Sequence, residues 1–128
     1  MFIRFVSGEI DEDSRVASGL FCALHSVGET CFMPRHDWEL LQELEDWFDQ
    51  HLKSPVKQLP RRYNYEFAVS WFKPTAHEHL ARAWEMVKIL ERNGLFIWTI
   101  KVSQTGPIYY EDDAQVFALP PSRWRQWK

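Results

Sequence analysis

The spacing of apolar residues changes along this chain, and that change limits the possible folds more than any other feature. Between residues 37 and 92, two segments repeat apolar residues every three to four positions, as amphipathic helices do. After residue 95 the spacing becomes two, the period of a strand with one buried face. We therefore predict an α+β fold, in which about three helices cover a small, mostly antiparallel sheet.

The most strongly marked helix is predicted over residues 75–92. Thr75 to Glu78 has the sequence of a capping box, in which side chains at the start of a helix bond its first amides. Gly94 follows the last turn, where glycine commonly ends a helix. Trp84 lies in the middle of the apolar stripe, so we expect it in the core.

Two further helices are predicted nearer the N-terminus. Residues 37–53 carry one broad apolar stripe and acidic residues in the first turn, and Pro55 prevents extension of this helix. Residues 14–27 repeat apolar side chains at helical spacing, although Gly19 inside this segment costs about 1 kcal/mol relative to alanine.

The strand-period segments predict how the sheet is built. Residues 95–119 favour a three-stranded meander, joined by an N-terminal strand at residues 2–6, since a lone strand is unstable. Residues 65–71 alternate as a strand does, but seven residues are also compatible with a short helix. We expect one domain over residues 1–121 and a tail over residues 122–128.

The chain is rich in tryptophan but has no catalytic signature. Among 128 residues there are seven Trp, nine Phe and four Tyr, and no glycine-rich phosphate loop occurs. Large aromatic and arginine side chains dominate protein interfaces. We therefore predict a non-catalytic protein that binds another macromolecule, most of all a protein, through two basic and aromatic clusters: Arg62, Tyr63, Trp71, Phe72, Trp124 and Trp127.

The charge distribution bears on the choice of partner. Residues 1–50 carry a net charge of −8 and residues 51–128 a net charge of +5, so oppositely charged faces could steer a partner unless the halves interleave. The basic and aromatic clusters could instead form a structural lid over the sheet. They also suit single-stranded nucleic acid, which gives the alternative of a nucleic-acid accessory protein. The overall charge of −3 argues against a dedicated nucleic-acid binder.

A metal-assisted hydrolase is the other alternative. Candidate ligands of the types that zinc prefers are Cys22, His25, Cys31 and His36. Only five residues separate the two pairs, fewer than common zinc modules use, so buried thiols and surface histidines explain them as well. The acidic run at residues 111–113 could bind Mg²⁺ or form a solvated turn. On a helix, His77 and His79 would point about 200° apart and could not share an ion.

The expected location of the chain is the cytoplasm, without a cofactor. Two cysteines are too few for a disulfide framework. Charge and glycine interrupt the first ten residues before a signal-peptide apolar stretch could form, and no apolar run approaches the ~20 residues of a membrane span. The oligomeric state stays open.

Three segments resemble a group of small bacterial proteins of unknown function. They begin at Trp47-Phe48, at Ser70-Trp71-Phe72-Lys73-Pro74 and at Ile108-Tyr109-Tyr110-Glu111-Asp112. The resemblance extends over most of the chain and implies a bacterial or phage origin. It implies no activity, and it assigns no functional residue.

Overall fold

The structure is a computed structural model, and it describes residues 1–10, 17–20, 33–60 and 68–121. These residues contain six strands, two α-helices and one 3₁₀ helix. The elements in chain order are β1 (Phe2–Ile10), β2 (Ala17–Gly19), α1 (Arg35–His51), the 3₁₀ helix (Pro55–Gln58), β3 (Val69–Phe72), α2 (His77–Arg92), β4 (Trp98–Val102), β5 (Ile108–Glu111) and β6 (Gln115–Ala118).

All strand pairings in the described sheet are antiparallel, which confirms the α+β class. Five strands follow the order β2-β1-β3-β6-β5, and β4 pairs with β1 beside this path. The ambiguous segment before Pro74 contains a strand, β3, which lies between β1 and β6.

The predicted C-terminal meander is wrong in one pairing. β5 and β6 form a hairpin, but β4 pairs with β1 along five consecutive residues, from Phe2 with Val102 to Val6 with Trp98. The chain before β5 is tied to the end of β6, since Gly106 N donates to Leu119 O at 2.7 Å. A Cβ at Gly106 would lie 2.7 Å from a carbonyl oxygen, so only glycine fits this approach. The residues just before β5 therefore lie beside the end of β6 and do not fold back along β4.

β1 is paired along both of its edges. Ile3 pairs with Lys101 of β4 on one edge and with Phe72 of β3 on the other. Val6 likewise pairs with both β4 and Gly19 of β2. β4 therefore pairs with one edge of β1. β3 and β2 both pair with the opposite edge, β3 near Ile3 and β2 from Val6 onwards.

Both described α-helices pack on the same face of the sheet. Phe5 of β1 and Phe72 of β3 belong to one buried cluster with Leu41 and Phe48 of α1 and Leu90 of α2. A second buried cluster lies on the opposite face and includes Val69, Trp71, Val102 and Val116, with Phe2 and Ile100 packed against it. The sheet is thus apolar on both faces.

The start of α2 corrects the predicted capping box. The helix begins at His77, its N-cap is Ala76, and no side chain caps it. Ala76 is buried while Thr75 is exposed, so burial of the alanine against the domain moves the helix start past the threonine. The first helical hydrogen bond runs from Leu80 N to Ala76 O at 2.9 Å.

Trp84 does not lie in the middle of the buried face of α2. It is 41% exposed, and its ring meets the buried Phe5 edge-on at 5.0 Å between centroids. The fully buried positions of the helix include Ala83, Met86 and Leu90, so the buried stripe is centred to one side of the tryptophan.

The helix predicted over residues 14–27 is wrong at residues 17–19, which form β2. Residues 14–16 and 21–27 lie outside the described residues. A Cβ on Gly19 would come within 3.3 Å of two nitrogens of the Arg4 guanidinium, so glycine gives room to the arginine that crosses from β1. The close approach between strands overrides the helical periodicity of this segment.

An ion pair joins the start of α1 to the end of α2. Asp37, which is buried, accepts hydrogen bonds from the guanidinium of Arg92 and from Asn93 Nδ2, the latter at 2.9 Å. Asn93 Nδ2 also donates to Ile89 O at 2.8 Å. The hydrogen bonds from Arg92 and then from Asn93 lower the pKa of Asp37 from 3.8 to about 2, against the opposing effect of burial.

Asp37 is expected to make stability depend on pH below about pH 4. Because its folded-state pKa of about 2 lies below the ordinary value of 3.8, its stabilising effect is complete above that value and is lost as the pH falls towards 2. The urea midpoint of Asp37→Asn should lie below that of the parent at pH 6, and the gap should shrink between pH 4 and pH 2. Asp46→Asn, at an exposed position of α1, is the control. A gap that persists at pH 2 would contradict this role.

Burial predicts that Leu90 contributes more to stability than the larger Trp84. Leu90→Ala should lower the free energy of unfolding by about 2–5 kcal/mol, as loss of a fully buried leucine does. Trp84→Ala should cost less, because its ring is 41% exposed and is thus already partly solvated in the folded state. Urea denaturation of both variants checks the order, and a greater loss for Trp84→Ala would show that the helix is rotated.

Candidate binding surfaces

Two residues predicted to contact a partner are buried in the sheet. Trp71 is 1% exposed and Phe72 is 9% exposed, because β3 lies between two strands and both of its faces are covered. Their burial corrects the expectation that these rings face a partner. The other predicted contact residues, Arg62, Tyr63, Trp124 and Trp127, lie outside the described residues.

The predicted zinc ligands are not brought together in the described part of the chain. His36 is exposed in the first turn of α1, and Cys22, His25 and Cys31 lie outside the described residues. Within residues 1–10, 17–20, 33–60 and 68–121, no three His, Cys, Asp or Glu side chains are grouped to hold a metal ion.

The acidic run at residues 111–113 forms the turn between β5 and β6. Asp112 Oδ1 accepts hydrogen bonds from the amides of Ala114 at 2.9 Å and Gln115 at 3.0 Å. Asp112 Oδ2 accepts one from the Tyr110 hydroxyl at 2.9 Å and one from Gln115 Nε2 at 3.3 Å. A carboxylate has about four acceptor sites, and these four bonds use them. The turn therefore favours a structural role for Asp112 over metal binding.

The pKa values of this turn reflect the same bonds. Burial alone would raise the pKa of Asp112, but the bonds from Ala114, Tyr110 and Gln115 together hold it below its usual value. Burial, followed by the hydrogen bond to Asp112, raises the pKa of Tyr110. The carboxylate is thus kept charged and the phenol neutral, as an acceptor and a donor should be.

A group of stacked side chains joins the C-terminal end of α1 to the N-terminal end of α2. The rings of Trp47 and His51 on α1 stack with centroids 4.3 Å apart, and the Arg82 guanidinium of α2 lies 3.9 Å from the centroid of the Trp47 ring. His79 Nε2 donates to His51 O at 2.8 Å. His79 therefore acts as a helix-to-helix contact, while His77 is exposed on α2.

Among the aromatic residues that the structure describes, Phe96 and Trp98 have the most exposed rings. They are 60% and 55% exposed, and they meet edge to face with centroids 5.5 Å apart. Ile97 between them is 5% exposed and packs in the helix-side core. Because neighbouring side chains of extended chain point to opposite sides, burial of Ile97 directs both aromatic rings outwards.

β4 also presents an edge that pairs with no strand in the part of the chain described here. Its pairing with β1 uses one edge, so on the other edge alternate N–H and C=O groups point away from the sheet. We call Phe96, Trp98 and this edge of β4 the aromatic edge. The alternating pattern at residues 96–102 predicted that the two rings share a face, but a pattern does not reveal which strand ends at the edge.

Comparison with models of protein families, with curated proteins and with solved structures finds no match to this chain. The resemblance to small bacterial proteins therefore stays a prediction. Neither of the two described α-helices combines the length and the apolar character needed to cross a membrane.

The hydrogen bonds of the β5–β6 turn predict a large difference between two neighbouring aspartates. Asp112→Ala should lower the free energy of unfolding by about 2 kcal/mol or more, since it leaves buried donors without their acceptor. Asp113→Ala, at an exposed position, should stay within about 0.5 kcal/mol of the parent. Urea denaturation with and without millimolar Mg²⁺ measures both. Equal losses, or stabilisation of the parent by Mg²⁺, would contradict the structural role.

Proposed function

We propose that this is a non-catalytic, cytoplasmic binding protein whose partner is another protein, and that the aromatic edge is its contact surface. The observation that carries the proposal is the coincidence of two exposed aromatic rings with an unpaired strand edge among the described residues. Either feature alone is common on protein surfaces, and together they supply an apolar anchor beside a row of backbone hydrogen-bonding groups.

The rings suit an interface because little conformational freedom remains to be lost. Phe96 and Trp98 already contact each other, and burial of Ile97 holds the segment between them. Ordering side chains on binding costs free energy, so a preformed aromatic pair favours association. Tryptophan is among the residues that most often dominate binding energy at interfaces.

The edge suits an extended segment of a partner. A peptide can add a strand to an exposed sheet edge, where backbone hydrogen bonds give affinity and alternate side chains give specificity. Lys101 is exposed on β4, and a lysine on an edge strand discourages indiscriminate strand pairing. We therefore expect a selective partner with an acidic residue near Lys101.

Residues outside the described ranges remain part of the proposal. Arg62, Tyr63, Trp124 and Trp127 were predicted from the sequence as contact residues, and they would extend the surface or form a separate one. The experiment therefore has to distinguish the aromatic edge from these residues.

Capture of partners from native cell extract tests the aromatic edge. The double variant Phe96→Ala/Trp98→Ala should reduce capture of the partner at least tenfold, because losses of about 2 kcal/mol or more are typical of hot-spot residues. Its urea midpoint should stay close to that of the parent, since both rings are exposed. Val56→Ala, at a position that is 54% exposed on the 3₁₀ helix, is the matched control and should capture normally.

Two outcomes would contradict the assignment. If the double variant and Val56→Ala capture equally, the aromatic edge is not the contact surface. If Trp124→Ala/Trp127→Ala alone loses capture, the protein binds a partner through its C-terminal residues. Sedimentation of the purified parent shows whether the partner is a second copy of this chain.

A further inference from the structure

Trp84 of α2 lies on the helix side of the aromatic edge. Phe5 of β1 pairs with Thr99 of β4, and the ring of Phe5 meets that of Trp84 at 5.0 Å between centroids. On the other side of Phe5, the ring of Phe72 contacts that of Phe48 on α1, so α1 occupies the side towards β3. The exposed part of Trp84, 41% of the residue, therefore faces the side towards β4.

The side chains of β4 alternate between the two sides of the sheet. Lys101 pairs with Ile3, which packs against the helix-side cluster, so Lys101 and Thr99 point towards the helices. Ile100 packs against the cluster on the opposite face, and Trp98 points to the same side as Ile100. A strand added to this edge would therefore meet a tryptophan ring on each of its two sides, with α2 supplying the ring on the helix side.

The edge also carries a positive charge. Lys101 is exposed, and it forms no ion pair with the residues that the structure describes. Opposite charges on neighbouring strands stabilise their pairing, so Lys101 favours a carboxylate on an added strand. Residues 95–110 contain no acidic side chain, so a second copy of β4 paired here would bring none to Lys101. The charge therefore favours a different protein over a second copy of this chain.

We propose that the aromatic edge binds an extended peptide, antiparallel to β4, in which one acidic residue is followed by three apolar residues. Because this peptide is the ligand of the surface named above, the inference rests on the proposed function. Every pairing in the described sheet is antiparallel, and antiparallel pairing is the more stable per residue. In that direction the acidic residue lies opposite Lys101 and the next residue opposite Ile100. The last two lie opposite Thr99 and Trp98, where one contacts Trp84 and the other contacts the exposed aromatic pair.

Short blocked peptides test the acidic position in the full-length protein. One peptide contains glutamate, valine, phenylalanine and valine in that order between serines, and the matched peptide has lysine in place of glutamate. In titrations followed by amide NMR shifts, both should act on residues 98–102, and the glutamate peptide should bind at least about threefold more tightly. Lys101→Glu should reverse this order of affinity. Lys57→Glu makes the same charge change at an exposed position on the 3₁₀ helix, beside β5, and should leave the order unchanged.

The same titrations test the direction of the peptide and the role of Trp84. A nitroxide at the N-terminus of the glutamate peptide should broaden the amide signal of Val102 more than that of Trp98, because antiparallel pairing places the start of the peptide beside the end of β4. Replacing the phenylalanine of the peptide by alanine should weaken binding to the parent about fivefold, as loss of an aromatic contact does. The same replacement should cause a smaller loss with Trp84→Ala, which lacks the ring that the phenylalanine contacts. The titrations of the parent decide the question even if Trp84→Ala does not fold.

Four results would overturn the proposal. Equal binding of the glutamate and lysine peptides to the parent would remove the role of Lys101, and stronger broadening at Trp98 would show that the peptide runs parallel to β4. The absence of shifts at residues 98–102 up to millimolar peptide, or a dimer of the parent joined through β4 that no peptide dissociates, would show that the edge takes another occupant. If the peptides fail while Phe96→Ala/Trp98→Ala still loses capture from extract, the aromatic edge remains the contact surface and only its ligand is wrong. If that variant captures normally, the proposed function fails as well.

Discussion

The double pairing of β1 is the interaction on which the rest of the structure depends. Ile3 and Val6 each have a partner on both sides, so β1 joins three other strands of the described sheet. β1 also places Phe5 under the helices and Phe2 on the opposite face, and so contributes to both buried clusters. Loss of its pairing would separate β4 and β2 from the remaining strands.

Two features of the described structure follow from the choice of partners along β1. Because β4 pairs with β1 and not with β5, its second edge stays unpaired among the described strands, beside Phe96 and Trp98. Because the other edge of β1 passes from β3 to β2, the sheet opens and leaves a cavity lined by Gln115. A regular meander with β3 paired along its whole length would have neither feature.

Local patterns predicted the elements of the fold but not their tertiary relations. The two long helices and the β5–β6 hairpin follow from periodicity, and they appear in the structure. The burial of Trp71 and the partial exposure of Trp84 depend on which strands and helices lie beside them, and a single sequence does not encode that choice in its local spacing. The aromatic edge was missed for the same reason, since an unpaired strand has the same alternation as a paired one.

Cross-strand nuclear Overhauser effects in solution test the pairing of β1 along both of its edges most directly. The pairings predict effects between the backbones of Arg4 and Ile100 on one side, and between those of Ile3 and Phe72 on the other. Effects between β4 and β5, with none between Arg4 and Ile100, would establish the meander instead. In that case the edge of β4 would be covered, and the basis of the proposed binding surface would be lost.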